Sequence, residues 1–451
     1  MDTLDRRGFL GRGVKAATAA SLFSIVPRHV LGGAAYAAPG DKLNIGGIGV
    51  GGMGENNLKA MAGENIVALC DVDHLYAAKT FAQYPGARLY KDHREMLEKE
   101  KDLDAVLIAT PDHTHAVITM DAMRAGKHVY CQKPLTHTVF EARKVAEAAA
   151  SLGVRTQMGI QGHSSADMRK LCEWVWSGAV GPVREVAAWS SISYYPWGHA
   201  YWSSQLGVRP TETPPLPEGM DWENWIGPAP MRPYHPTYHP LTWRSWLDFG
   251  CSMMGDRGVH TLDPVFWALK LGAPETIEAS CTDVNDETHP VAGIVRFNFP
   301  ARGDMPPVML TWYDGLMPPG WPGIENSRLL GENEGGILLV GDDGFLTAGI
   351  YGNSPTLLPL DKFKGAAPAP ESIPRVNGSH EGDWIASIKE NRPACADFSY
   401  AGPLTEMCLL GNVAKRMPGV KLKWNAASMT FEGNEKATKF IHKVYREGWT
   451  L

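Results

Sequence analysis

The pattern of hydrophobic residues changes along this chain of 451 residues and divides it into an amino-terminal and a carboxyl-terminal part. Short apolar runs typical of buried strands occur, for example, at 43–50 and 102–111, and stretches with helical spacing lie between such runs. Strands that alternate with helices predict a parallel sheet, with ligands at the carboxyl ends of its strands. After Thr276, alternation of apolar and polar residues predicts an antiparallel sheet, and helices are predicted at 382–394 and 401–419.

The first apolar run ends in a glycine-rich turn with the spacing G-x-G-x-x-G. Gly49, Gly51 and Gly54 supply the three glycines, Gly52 and Met53 lie between them, and a predicted helix follows. Glycines let the backbone turn tightly and approach a pyrophosphate, whose charge is favoured at the N-terminus of a helix. Because the turn joins a strand to a helix, it predicts a dinucleotide-binding site.

An acidic residue follows this turn at the distance that a dinucleotide site requires. Asp71 lies 22 residues after Gly49, at the end of the second predicted strand. A carboxylate there can accept hydrogen bonds from ribose hydroxyls and would repel a 2′-phosphate. The expected cofactor is therefore NAD rather than NADP.

Polar residues lie at the ends of two further predicted strands. Thr110, Pro111 and His115 follow one of them, and Gln132 and Lys133 follow the next. Because parallel strands end at the same edge of a sheet, we expect these five residues to contact the cofactor.

The first 37 residues have the pattern of an export signal. Arg6 and Arg7 form a twin-arginine pair, an apolar run occupies 16–26, and residues 35–37 offer the small side chains of a cleavage site. The apolar run is too short for a stable membrane anchor. We therefore expect residues 1–37 to be a twin-arginine signal peptide that directs the protein to the periplasm or another extracytoplasmic space.

Composition narrows the class of partner. The formal net charge is −6 and no basic stripe occurs, so a nucleic-acid partner is not expected. The seven cysteines include no C-x-x-C pair. His235 and His239 are each followed by proline, which disfavours a shared helical face, and no metal site is predicted.

Five segments, in this order, resemble the Gfo/Idh/MocA oxidoreductase family, named for glucose–fructose oxidoreductase and inositol dehydrogenase. They are GIGVGGMG, CDVD, IATPDHTHA, GKHVYCQKPLTHTVFEARKVAEAA and MGDRGVHTLDPVFW. The resemblance implies an α/β fold, with an N-terminal Rossmann NAD-binding domain at 42–160 and a C-terminal α/β domain at 161–425. It also implies that the second domain has a large open, mostly antiparallel sheet used for homo-oligomerisation. Residues 426–451 are expected to form a tail.

The resemblance places the catalytic site at Lys133, Asp256 and His260. Asp256 and His260 are four residues apart, so in a helix they share one face. Histidine can take the proton of a secondary alcohol, lysine can stabilise the developing alkoxide, and aspartate can orient the imidazole or contact the sugar. The usual family tripeptide is Glu-Lys-Pro, whereas this chain has Gln132-Lys133-Pro134, which leaves the local role of that acid open.

An aromatic, proline-rich segment is the candidate substrate region. Ten of the fifteen tryptophans lie between Trp174 and Trp267. Long irregular loops are typically functional, and aromatic faces suit the C–H faces of sugar rings. The predicted substrate contacts are Gln161, Tyr195, Trp197, Trp243 and Arg244.

These features together predict an exported NAD-dependent oxidoreductase that acts on a secondary hydroxyl of a sugar or glycoside. Twin-arginine export carries folded proteins, so tightly bound NAD can travel with the enzyme. One alternative is a redox-neutral glycoside hydrolase, which would oxidise the sugar, eliminate the glycosidic bond, add water and return the hydride. The retained Lys133-Pro134 pair favours a dehydrogenase. A second alternative is a non-catalytic sugar-binding protein, against which the lysine, aspartate and histidine set argues.

Overall fold

The computed structural model describes residues 41–193, 197–199, 201–202, 207–324, 330–365 and 367–451. The predicted signal peptide at 1–37 and the predicted substrate residue Tyr195 lie outside these ranges. Within them, the chain forms a six-stranded sheet followed by a nine-stranded sheet.

The first sheet is parallel and carries the glycine-rich turn. Its strands are β1 Asn44–Ile48, β2 Asn65–Cys70, β3 Arg88–Tyr90, β4 Ala105–Ile108, β5 His128–Cys131 and β6 Thr156–Met158. Their order across the sheet is β3-β2-β1-β4-β5-β6. Strand order reverses direction between β1 and β4, and the crevice at such a point is where an open parallel sheet binds its ligand.

Helices connect these strands and cover both faces of the first sheet. They are α1 Met53–Ala60, α2 Ala78–Gln83, α3 His93–Lys99, α4 Asp112–Arg124 and α5 Val139–Leu152. Successive residues of β4 enter two separate hydrophobic clusters, Val106 and Ile108 on one side and Ala105 and Leu107 on the other. A continuous apolar strand of this kind is what burial on both faces requires.

The second sheet is mixed and mostly antiparallel. Its strands are β7 Val183–Ser190, β8 Thr276–Cys281, β9 Gly293–Phe299, β10 Val308–Asp314, β11 Gly335–Gly341, β12 Gly344–Ala348, β13 Thr356–Leu358, β14 Leu422–Asn425 and β15 Thr430–Phe431. Their order is β13-β12-β11-β7-β10-β9-β8-β14-β15, and β7 and β10 pair in parallel. The other neighbouring strands pair antiparallel. The predicted fold class is confirmed.

The remaining helices pack beside this sheet or return to the first domain. They are α6 Ala166–Trp176, α7 Trp222–Ile226, α8 Val259–Ala268, α9 Leu360–Phe363, α10 His380–Lys389, α11 Phe398–Lys415 and α12 Glu435–Lys439. After α12 the chain runs back along the first domain, where the Lys443 ammonium donates to the carbonyl of His113 at 2.9 Å. In the part of the chain that the structure describes, no helix is both long and apolar enough to cross a membrane.

Candidate active site

The glycine-rich turn begins the site, and two of its glycines are required by geometry. Gly49 has φ +75°, and a Cβ there would lie 2.7 Å from the backbone of Ala109. A Cβ on Gly54 would lie 2.1 Å from the carbonyl oxygen of Gly49, so the first turn of α1 packs directly on the loop. The result is an open backbone surface at the start of a helix, the arrangement that receives a pyrophosphate.

Asp71 is held against this turn at the end of β2. Its Oδ2 accepts the amide hydrogens of Val50 at 2.9 Å and Gly51 at 3.2 Å, and its Oδ1 accepts that of Asp73 at 3.0 Å. Burial raises the pKa of Asp71, and these backbone donors oppose that effect. The carboxylate is thus positioned beside the loop, at the edge of the cleft, where a ribose hydroxyl can reach it.

A single cleft runs from Asp71 to Lys133 along the carboxyl ends of the strands. Most of the predicted cofactor residues line it, namely Gly49, Gly51, Gly52, Met53, Asp71, Thr110, Pro111, Gln132 and Lys133. A bare glycine loop, a helix N-terminus and an acid at the end of the second strand are the features that a dinucleotide requires, so the residues present fit NAD.

Lys133, Asp256 and Arg244 meet at the end of the cleft beyond β5. The Lys133 ammonium donates to Oδ1 of Asp256, and Oδ2 of Asp256 accepts Nε of Arg244 at 2.7 Å. The indole N–H of Trp202 donates to the same Oδ2, also at 2.7 Å. One buried carboxylate therefore faces two cations and a neutral donor.

This arrangement sets the charge of the group. Burial alone would raise the pKa of Asp256, but Lys133 and Arg244 outweigh it and hold that pKa far below its ordinary value. Burial lowers the pKa of Lys133, Asp256 opposes that effect, and the positive charge of Arg244 adds to it, so the pKa stays below its ordinary value. Lys133 is thus a lysine that can give up or share a proton more readily than one in water.

His260 does not form the predicted contact with Asp256. Both residues are in one helical segment, but a π-helical turn at Met254–Gly258 precedes α8, so the spacing is not that of a regular α-helix. Within the described ranges no hydrogen bond joins the two residues, since both oxygens of Asp256 are taken by Lys133, Arg244 and Trp202. Asp256 therefore does not orient the imidazole of His260.

His260 is packed beside the cleft instead of lining it. Its ring lies edge-on against Tyr351 with centroids 4.8 Å apart, and its buried Nδ1 has no hydrogen-bond partner in the described part of the chain. Burial, and then the positive charge of Lys133, lower the pKa of His260 well below its ordinary value. The imidazole is therefore neutral at physiological pH, and its Nδ1 is enclosed by the surrounding residues.

Gln132 belongs to a buried chain of hydrogen bonds. Its amide nitrogen donates to Oδ1 of Asn57 at 2.9 Å, and the Asn57 amide donates to Glu381 at 2.8 Å. The hydroxyl of Tyr130 also donates to Glu381, at 3.3 Å, and Gln161 donates to that hydroxyl at 3.4 Å. Gln161, predicted as a substrate contact, therefore lies in this network and does not line the cleft.

His115 is a correction to the predicted cofactor contacts. Helix α4 begins at Asp112, and this start places His115, which is buried, in its first turn. Its two ring nitrogens lie 2.8 Å from the carbonyl oxygens of Pro134 and Thr110. Burial lowers the pKa of His115 to about 4, so the ring is neutral and its one N–H donates to only one of these two carbonyls, behind the cleft wall.

The predicted aromatic contacts separate into two groups. Trp243 lines the cleft, and the guanidinium of Arg244 lies over its ring, 4.2 Å from the centroid. Trp197 is 73 % exposed and does not line the cleft. Of the predicted substrate contacts, Trp243 and Arg244 therefore line the cleft, while Trp197 lies at the surface.

Several residues of the site were not predicted from the sequence. Asp112 lines the cleft, accepts the amide hydrogen of Cys251 at 3.0 Å, and has a pKa raised by burial to about 7. Tyr76 covers the loop so closely that a Cβ on Gly51 would lie 2.3 Å from its ring. Its only sequence signal is an aromatic residue soon after Asp71. Among the described residues, no three histidine, cysteine or acidic side chains converge as metal ligands would.

Comparison with known proteins agrees with this geometry. Residues 43–160 match the family described as "Oxidoreductase family, NAD-binding Rossmann fold", and residues 164–297 match "Oxidoreductase family, C-terminal alpha/beta domain". Together the two matches extend over more than half of the chain.

Two curated relatives each match less than a third of the chain. Inositol 2-dehydrogenase of Rubrobacter xylanophilus is 34 % identical over 146 residues, which is 31 % of this chain and 42 % of that protein. Inositol 2-dehydrogenase 2 of Saccharopolyspora erythraea is 36 % identical over 110 residues, 24 % of this chain and 32 % of that protein. The alignments thus span less than half the length of these relatives.

Solved structures share the fold over both domains. The WlbA dehydrogenase from Bordetella pertussis, in complex with NADH and UDP-GlcNAcA, superposes with a TM-score of 0.59 at 18 % identity, covering 85 % of this chain and 98 % of that one. GenD2 from gentamicin A biosynthesis, in complex with NAD, has a TM-score of 0.55 at 18 % identity, covering 89 % and 100 %. With its NAD-binding Rossmann domain and its C-terminal α/β domain, the chain belongs to the Gfo/Idh/MocA oxidoreductase family.

Proposed function

We propose that this protein is an exported NAD-dependent oxidoreductase that oxidises a secondary hydroxyl of a sugar or polyol and retains its cofactor between turnovers. The observation that carries the proposal is the single cleft, which has the glycine loop and Asp71 at one end and the Lys133–Asp256–Arg244 group at the other. The names of the relatives, inositol dehydrogenases among them, support a polyhydroxylated substrate.

Each residue of the group has a defined task in such a reaction. Bound NAD supplies the hydride acceptor. Lys133 donates a hydrogen bond to the substrate oxygen and stabilises its developing negative charge, while Asp256, itself paired with Arg244, holds the ammonium in place. His260 is neutral because burial lowers its pKa, but it is packed beside the cleft, so its ring has to turn towards Lys133 before it can accept the hydroxyl proton.

The chemical proposal is tested by single-turnover reduction of bound NAD. NAD-loaded protein is mixed with a panel of pyranosides and cyclitols, and NADH absorbance is followed for the parent, Lys133→Met and His260→Ala. Removal of a positioned proton-transfer group typically slows the step by about 10²–10⁴-fold. Lys436→Met is the control, because it replaces an exposed lysine on α12, and it should reduce NAD as fast as the parent does. Equal rates in all four proteins would refute the assignment of the site.

The products of the same reaction decide between two enzyme classes. A dehydrogenase leaves an oxidised sugar, and NADH persists until an acceptor is added. A redox-neutral glycosidase releases free sugar and aglycone from a glycoside, and NADH appears only transiently. We propose the first outcome because the Lys133-Pro134 pair is present.

Cofactor identity and export are tested separately. Mass analysis of nucleotide released from the denatured protein should find NAD(H), and Asp71→Ala should weaken binding of NAD more than that of NADP. Replacing Arg6 and Arg7 together by lysine should leave the protein in the cytoplasm, because the twin-arginine machinery requires the guanidinium pair. Unchanged export of that double variant would contradict the periplasmic assignment.

A further inference from the structure

The two ends of the cleft can be assigned from the strand order. Lys133 follows β5, whereas Asp71 follows β2, and β3 lies one strand further out. His93, just after β3, also lines the cleft, so the cleft continues past Asp71 towards the edge of the sheet. In a Rossmann domain the acid after the second strand contacts the adenosine ribose, which makes this outer end the adenosine end.

The outer wall of this end comes from parts of the chain beyond the Rossmann domain. Asn224 and Trp225 of α7 line it, and Trp449, two residues before the last position, lines it as well. The guanidinium of Arg94 lies 4.7 Å from the ring centroid of Trp449 and donates to Oδ1 of Asn224 at 3.0 Å. One side chain of α3 therefore joins the two halves of the wall.

The carboxyl-terminal segment is fixed to α7 by Arg446. Its guanidinium donates to the carbonyls of Gly227 at 2.9 Å and Glu223 at 3.0 Å, and it pairs with the Glu223 carboxylate at 3.1 Å. Its backbone N–H donates to the carbonyl of Pro228 at 3.0 Å. Four hydrogen bonds thus hold the residues just before Trp449 in one position.

A second anchor attaches the same segment to the first domain. The Lys443 ammonium pairs at 2.8 Å with Glu141, whose side chain is fully buried, and the Tyr445 hydroxyl donates to that carboxylate at 2.8 Å. The same ammonium donates to the carbonyl of His113. Because Glu141 is buried and charged, breaking its pair with Lys443 costs far more than breaking a surface contact.

We propose that the segment Lys443–Trp449, fixed on α7, closes the adenosine end of the cleft and slows release of the cofactor. This inference rests on the proposed retention of NAD and names the part of the chain that provides it. A cofactor seated between the sheet edge and this wall cannot leave past its adenosine end until Trp449 moves away. The wall adds a contact at the adenosine end, whereas the glycine loop contacts the pyrophosphate and Asp71 the ribose.

The test is the rate at which NADH leaves the loaded protein. Excess NAD displaces bound NADH, and the loss of NADH fluorescence is followed by stopped flow for the parent, Trp449→Ala and Arg446→Ala. We expect both variants to release NADH at least about tenfold faster, which corresponds to about 1.4 kcal/mol. Trp449→Phe keeps an aromatic ring in the wall and should fall between Trp449→Ala and the parent.

Arg184→Ala is the matched control. It removes an arginine that pairs with Asp342 at an exposed site on the second sheet, so its release rate should equal that of the parent. Parental rates in Trp449→Ala and Arg446→Ala would overturn the inference. If the parent itself releases NADH rapidly, the proposed retention of the cofactor is wrong. The Kd for NADH of each variant, divided by that of the parent, then decides whether the wall contacts the cofactor. A ratio near one overturns the inference.

Discussion

Asp112 makes the stability of this protein depend on pH in a direction that one substitution can isolate. The carboxyl group begins α4, is 3 % exposed, and accepts the Cys251 amide hydrogen at 3.0 Å. Burial raises its pKa from 3.8 to about 7, with Arg244 and Lys133 opposing and Asp256 adding to the effect. At 1.36 kcal/mol per pH unit, this difference corresponds to about 4 kcal/mol.

The sign follows from proton binding. Between pH 4 and pH 7 the folded state keeps the Asp112 proton and the unfolded state loses it, so stability falls as the pH rises through this window. Below the unfolded pKa the stabilisation is fully present, and above about pH 7 it is gone. Asp112→Asn keeps the shape and the acceptor for Cys251 but cannot ionise. From pH 5 to pH 8 the variant should therefore gain about 3 kcal/mol relative to the parent.

The assay is urea unfolding of both proteins at pH 5, 6, 7 and 8, monitored by tryptophan fluorescence. Every other titrating group is present in both proteins, so the difference between their free energies of unfolding reports Asp112 alone. Asp286→Asn is the control because its carboxylate is 97 % exposed, and its difference from the parent should stay nearly constant. A difference for Asp112→Asn that does not change with pH would refute the assignment of a buried, protonated carboxyl.

Two further substitutions test the loop and the core of the second domain. Gly54→Ala places a Cβ 2.1 Å from the Gly49 carbonyl oxygen. This variant should weaken NAD binding at least about tenfold in a fluorescence titration. Gly63→Ala is the control and should bind NAD as the parent does, because a Cβ at Gly63 has nothing within 4 Å. Asp314→Ala leaves the Lys415 ammonium, 1 % exposed, without its carboxylate at 2.8 Å. The free energy of unfolding in urea should fall by about 3–5 kcal/mol, and no fall would mean that the ammonium finds water or another acceptor.

The dinucleotide half of the site could be predicted from the sequence because its determinants are local. Gly49, Gly51 and Gly54 are close together in the chain, and their geometry follows from a strand, a turn and a helix in succession. Asp71 lies at the end of the next strand, which pairs directly with β1. Periodicity and spacing are sufficient where neighbours in sequence are also neighbours in the sheet.

Non-local pairing is where the sequence was insufficient. Strand β7 was not predicted. It lies between β10 and β11 in the second sheet, and its pairing with β10 is parallel. Its run from Val183 to Ser190 includes charged residues at its start and small apolar residues later, and such a run is recognised only by its partners. The apolar stretch at 335–352 forms the hairpin β11–β12, with Asp342 and Asp343 at the turn.

The catalytic end shows the same limit at the level of single residues. A four-residue spacing between Asp256 and His260 predicts a shared helical face. The π-helical turn changes that spacing, and Asp256 instead accepts hydrogen bonds from Arg244 and Trp202. Trp202 comes from the aromatic segment whose individual roles no periodicity could assign. Burial also decides the pKa of Lys133, and burial depends on which chain segments pack over it.

The departure from the family tripeptide has a physical explanation of this non-local kind. Gln132 replaces the usual glutamate, yet a buried carboxylate remains nearby in Glu381 of α10. The Asn57 side chain joins the two residues, because its oxygen accepts a hydrogen bond from Gln132 and its amide nitrogen donates one to Glu381. A glutamate at position 132 would present an oxygen to Oδ1 of Asn57 and add a second buried acid to the same chain of hydrogen bonds, which burial strongly disfavours. The amide supplies the donor that Asn57 requires. The charge of Lys133 is then set by Asp256 and not by its sequence neighbour, so the substitution at 132 leaves the lysine with the carboxylate it needs.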